Sequence, residues 1–174
     1  MNSHPLIRKR KRERFVGHPP NLHYPHGFFD EASKNNIGGV GIVLEIIQSH
    51  SFSLKLGCGS NTNSRVELLA LWTLLFFAAE IGIPSLHIFG DSSVVINWEN
   101  EKATLSGLEL EGWCEKISSL KSSFHSLEIQ HVYHEHNQKV VCLSKEPLNL
   151  ATRLLSFTEF YEGHIIGGGE THIF

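Results

Sequence analysis

The stretch Leu86-His87-Ile88-Phe89-Gly90-Asp91-Ser92-Ser93-Val94-Val95-Ile96-Asn97-Trp98 decides how this chain is read. It opens as a short apolar run with aromatic and β-branched residues, bounded on its N-terminal side by Gly82 and Pro84, which predicts a buried strand. Asp91 follows, with Ser92 and Ser93 as caps for a helix spaced on Val94, Val95 and Trp98. A carboxylate just past the C-terminal end of a buried strand stands where open α/β sheets keep their ligand chemistry. Taken alone, Asp91 reads equally as a cap for that helix.

Working outward, the 174 residues suffice for one domain with a full core, and 41% hydrophobic with 19% charged residues is a globular composition. The apolar stretch 68–83 is interrupted by Thr73, Glu80 and Gly82, so no membrane-spanning helix is expected. The polar, then basic N-terminus lacks the apolar core of a secretory signal. Cys58, Cys114 and Cys142 are odd in number and far apart, which argues against a disulfide framework or a zinc site and for a reducing, intracellular setting, nucleus or cytoplasm. The net charge of −3 hides an asymmetry: six of the 15 Lys/Arg lie between Arg8 and Arg14 with one acid, Glu13, leaving an acidic remainder. That block reads as a nuclear address, a nucleic-acid-binding arm or a solvated lead-in. The acidic remainder argues against a domain that grips nucleic acid by bulk charge alone.

In chain order, residues 1–25 read as a basic, disordered arm, residues 26–155 as the folded domain and residues 156–174 as a poorly ordered C-terminal tail. Gly27 to Asp30 predicts a first strand ending in a carboxylate, joined by a longer loop through Ser33–Asn36 to a second strand over Val40–Leu44. Phe52, Leu54 and Leu56 alternate along a third strand. Ser64 is placed to cap a long helix on Leu68, Leu71, Leu75 and Ala79, with Glu67 in its first turn; Gly82 and Pro84 stop it. The strand before Asp91 then pairs in parallel with the first. An amphipathic helix over 109–123, a fifth strand over 127–133 and a last helix over 140–155, with Pro147 as a break, complete an α/β fold: a mixed five-stranded sheet with helices on its faces.

Asp30, Glu67 and Asp91 thus stand at comparable points, two ending strands and one opening a helix. Carboxylate clusters suit hard divalent cations such as Mg²⁺ and Mn²⁺, and with phosphate oxygens they suit phosphoryl chemistry. Four segments then resemble the type 1 ribonuclease H domains, and most closely those of retroelement reverse transcriptases and their stand-alone plant relatives. They are Phe28-Phe29-Asp30-Glu31-Ala32-Ser33 with Gly39-Val40-Gly41, Asn63-Ser64-Arg65-Val66-Glu67-Leu68-Leu69-Ala70-Leu71, Phe89-Gly90-Asp91-Ser92, and His131-Val132-Tyr133-His134-Glu135-His136-Asn137. The resemblance runs from about Phe28 to Leu148. It implies an RNase H-like fold, endonucleolytic hydrolysis of the RNA strand of RNA–DNA hybrids, and two metal ions, with Asp30 bridging both and Glu67 and Asp91 on the leaving-group side.

Two departures accompany the resemblance. Val141 stands where the family has a fourth metal-binding aspartate, which implies a weakened metal site. Glu31 stands where the family commonly has glycine, and is expected to obstruct or repel a phosphate, or to point away. The alternative reading is therefore a degenerate, retroelement-derived nucleic-acid-binding domain with weak or no chemistry. His134 and His136 are candidates for a proton shuttle, against the plainer reading of strand-end histidines and, for His131, His134 and His136 together, a zinc site. Asn63 and Ser92 are candidate contacts to the hybrid backbone, or ordinary caps. Trp98 and Trp113 flank a nucleic-acid groove or simply pack in the core. A single copy of the chain is expected, with neither membrane nor disulfide partner.

Overall fold

The structure is a computed structural model that describes residues 22–60, 63–92, 95, 96, 98, 108–149 and 151–173. The basic block Arg8–Arg14 and most of the N-terminal arm lie outside these residues. Strands β1 (His26–Lys34), β2 (Ile37–Ile47) and β3 (His50–Ser60) form an antiparallel meander. The first turn is tighter than the expected loop: Asn35 and Asn36 alone make it, at φ 54° and 62°. Asn tolerates that left-handed backbone, and a pair of such residues matches the strand twist. Helix α1 (Asn63–Glu80) follows, then β4 (Ser85–Gly90), which pairs in parallel with β1. Helix α2 (Leu108–Lys121), β5 (Ser126–His131), a 3₁₀ turn (His134–His136) and α3 (Gln138–Lys145) complete the part expected from sequence.

Two corrections concern the C-terminus. The last helix ends at Lys145 and passes into a 3₁₀ turn over Glu146–Asn149 instead of running to Leu155. Pro147 explains this, because it lacks the N–H that would continue the helical ladder and its ring crowds the turn before it. The expected tail is instead a hairpin, β6 (Leu154–Tyr161) and β7 (His164–His172), turned by Glu162 and Gly163, both at positive φ. Because β6 pairs along β3, the sheet has seven strands, ordered β5-β4-β1-β2-β3-β6-β7, not five. The ordered fold therefore runs well past residue 155.

Side-chain alternation sorts the central strands onto two faces. Phe29, Val40, Ile42 and Leu44 enter the main core under α1. Gly27 lies on that same face, so close to Leu74 of α1 that an added Cβ would come within 2.9 Å of it. Phe28, Asp30, Gly41 and Val43 take the other face, where α3 lies. A Cβ on Gly41 would meet the Ser144 backbone nitrogen at 2.5 Å, so α3 rests main chain against main chain. Helix α1 is buried on more than the one expected stripe: Leu68 through Leu75 are all buried, Thr73 included. The reason is that α2 and the hairpin cover its remaining sides, with Trp113 against Trp72 and Phe157 against Phe77. Trp113 is thus a core residue, and Trp98 packs against the same core.

Candidate active site

The site forms at the adjacent C-terminal ends of β1 and β4. The last pair in their ladder is Phe29 with Gly90, so β1 runs on past the end of its parallel neighbour. Among the described residues, no strand separates the two faces of the sheet on that side from Asp30 onward. Asp30, on the α3 face, and Glu31, on the α1 face, both turn round this open edge toward Asp91. One carboxylate oxygen from each of the three lies within 4.8 Å of the others. The cleft above them is also lined by Ser33, His134, Ser144 and Lys145.

Asp30, Glu67 and Asp91 each have a side-chain neighbour. Ser92 donates its hydroxyl to Glu67 Oε2 at 3.0 Å and accepts the Val95 N–H at 3.4 Å. Ser92, then, is the residue whose side chain caps the helix after β4, and Asp91 is turned to the cleft, where its Oδ2 lies 3.2 Å from His134 Nδ1. The Ser144 hydroxyl of α3 reaches Asp30 Oδ2 at 3.5 Å. Buried Asn137 ties the start of α3 to β1 by donating from Nδ2 to the Phe29 carbonyl at 3.3 Å. His136 faces elsewhere, lining a separate cavity with Phe28, Val43 and Val140. Of the two shuttle candidates, the fold brings only His134 to the carboxylates. Asn63 opens α1 and Val141 lies within α3, but their side chains fall outside the described set.

Sequence reasoning gives no role to two of these residues, Asn137 and Ser144, because their contacts depend on how α3 lies across β1 and β2. Glu31, expected to obstruct or repel a phosphate or to point away, instead joins the cluster with Asp30 and Asp91; its adjacency to Asp30 at a strand end is the available signal.

Crowding shifts these acids. Burial first, then the Asp91 charge, pushes the Asp30 carboxyl up to about 7. Burial, followed by the charges of Asp30, Glu67 and Asp91, pushes Glu31 up to about 9. Burial also raises Glu67, against the pull of its Ser92 hydrogen bond. Groups whose folded pKa exceeds the unfolded value hold extra protons in the native state, so their contribution to stability is present at low pH and lost as pH rises to the folded pKa. With divalent cations chelated, the melting temperature is expected to fall between about pH 4 and 9, and Glu31→Gln is expected to flatten that slope. Thermal unfolding across this range checks it; a slope unchanged by the substitution would contradict it.

Oxygen donors at this spacing fit a hard divalent cation. Glu31 Oε2 makes the same point, being buried with no hydrogen-bond partner among the described residues.

The reverse transcriptase-like family profile matches residues 29–147, which takes in Asp30, Glu67, Asp91 and α3. The chain belongs to the reverse transcriptase-like family. Its fold is that of type 1 ribonuclease H domains. It overlays RNase H1 from the halophilic archaeon Halobacterium salinarum NRC-1 with a TM-score of 0.66 and 26% identity, covering 74% of this chain and 100% of that one. The N-terminal RNase H domain of Rv2228c from Mycobacterium tuberculosis gives 0.63 and 19%, covering 72% and 94%. LC11-RNase H1, solved in complex with an RNA/DNA hybrid, gives 0.61 and 19%, covering 70% and 94%. The last two likenesses concern the fold. Among curated proteins none matches this chain. The match to the reverse transcriptase-like family stops at residue 147, before β6 begins, so the hairpin is an addition to the family's matched region. Among the described residues, no disulfide joins Cys58, Cys114 or Cys142, and no helix is long and apolar enough to cross a membrane.

Proposed function

We propose that this reverse transcriptase-like domain binds RNA–DNA hybrids and hydrolyses the RNA strand endonucleolytically, with Asp30, Glu67 and Asp91 holding Mg²⁺ or Mn²⁺. One observation carries the reading: Asp30 and Asp91 bring their carboxylates together at the carboxyl ends of β1 and β4, with Glu67 tied beside them through Ser92, on a ribonuclease H fold. A divalent cation held by these acids would supply water activation and charge neutralisation at the phosphodiester. The chain's own part is positioning. Ser92 fixes Glu67, Ser144 reaches Asp30, and exposed His134 beside Asp91 is placed to pass a proton to the departing oxygen. Ser92, its hydroxyl engaged by Glu67, serves the site chiefly by holding that acid. On this reading the domain belongs with the retroelement-derived type and acts as a single copy where hybrids arise, in the nucleus or cytoplasm.

Val141 favours a second reading, a hybrid-binding domain with weakened chemistry, because valine cannot ligate a cation. Cleavage of a labelled hybrid in Mg²⁺ or Mn²⁺ separates the two. Val141→Asp is expected to raise the rate roughly 10- to 100-fold, the scale on which groups around a metal act. Cleavage by the unaltered chain supports the enzyme reading; cleavage only after the substitution supports the binding module. A chain that neither binds nor cuts a hybrid, with or without the substitution, would refute both.

A further inference from the structure

We propose that Glu31 is a metal ligand and that this chain gathers its carboxylates around one divalent cation, where the resemblance implies two. The inference rests on the function proposed above.

The argument begins with strand alternation. Gly27 meets Leu74 and Phe29 enters the core, both on the α1 face, so Glu31 emerges on that face too. Glu67 stands there in the first turns of α1. Ordinarily a strand neighbour would keep Glu31 apart from Asp30. Here β4 has ended at Gly90, and the two side chains converge around the open edge with Asp91. Glu31, Asp30 and Asp91 share one small volume, and Glu67 is tied beside them through Ser92. Glu31 Oε2 is buried and lacks a donor among the described residues. A buried carboxyl oxygen without a donor is costly in a finished structure, and a cation would satisfy it.

The opposite face has changed in the other sense. On α3 the position matched to a carboxylate is Val141, and the nearby contact to Asp30 is the neutral Ser144 hydroxyl. The site thus keeps four carboxylates but shifts them toward α1: Glu31 and Glu67 from that side, Asp30 and Asp91 at the edge. A donor set so arranged favours one well-ligated cation over two sharing a bridge.

Calorimetric titration of the full chain with Mn²⁺ alone tests this, since it needs neither nucleic acid nor turnover. The unaltered chain is expected to bind one equivalent. Glu31→Gln and Glu31→Gly are each expected to weaken binding by about tenfold or more, with unfolding curves in chelator confirming a folded protein. Val141→Asp is expected to add a second equivalent. Two equivalents in the unaltered chain, none at all, or unchanged affinity in both Glu31 variants would overturn the proposal. The two inferences fail separately. Unchanged Mn²⁺ affinity in the Glu31 variants of a chain that cleaves hybrids removes only the role of Glu31. One equivalent lost with Glu31, in a chain that neither binds nor cleaves hybrids, removes the ribonuclease reading and leaves the ligand.

Discussion

Asp30→Asn is expected to abolish hydrolysis of the RNA strand, in this chain or in its Val141→Asp form, while raising the melting temperature of the metal-free protein. Asparagine keeps the size of the side chain and one of its oxygens, so the β1–β2 ladder and the Ser144 contact survive. What goes is the negative charge at the point where Glu31 and Asp91 converge. Loss of rate should reach at least the roughly 10²–10³-fold that removal of one preorganised electrostatic group costs. Stability moves the other way because Asp30 is buried among like charges, and a neutral amide relieves both the desolvation and the repulsion. Active sites commonly trade stability for function in this manner. A hybrid-cleavage assay and a melting curve in chelator are the two measurements. Retained cleavage would remove Asp30 from the chemistry; a lower melting temperature would show that its carboxylate is held by partners more favourable than those described.

Deleting residues 154–174 is the second large effect, and it concerns the hairpin. The loss strips β3 of a seven-residue ladder running from His50–Tyr161 to Leu56–Leu155. It also uncovers Leu54 and Leu56 and removes Leu155 and Ile173 from the core, all four fully or largely buried. Truncating one buried leucine costs about 2–5 kcal/mol. Two such losses with an opened strand edge approach the whole margin of a domain, about 5–15 kcal/mol. The truncated chain should melt far lower and aggregate through the exposed edge of β3. Unfolding curves and light scattering would decide it; an unchanged melting temperature would mean that the hairpin is an appendage.

That hairpin is also where sequence reasoning stopped. The meander, α1 and the strand before Asp91 were legible because each has a face that must be apolar: Phe52, Leu54 and Leu56 alternate, and Leu68, Leu71 and Leu75 recur. In β7 every residue is exposed except partly covered Gly167, and in β6 only Leu155 is buried. A strand without a buried face has no alternation to read. Its one local signal was Glu162-Gly163, a dipeptide suited to a tight turn. The carboxylates divide similarly. Asp30, Glu67 and Asp91 could be proposed from their places on elements. The part played by Glu31 depends on where β4 stops relative to β1, a register that no periodicity encodes.

Gly41 has a consequence of another kind. Because α3 touches β2 through backbone atoms, its depth over the sheet does not depend on which side chains it carries. Sequence drift along α3 can therefore change the chemistry delivered to the cleft without changing the address of delivery. A ligand lost from such a helix is lost singly, with the frame intact, and one codon suffices to restore it. The glycine makes the site's composition a reversible variable and its geometry a fixed one.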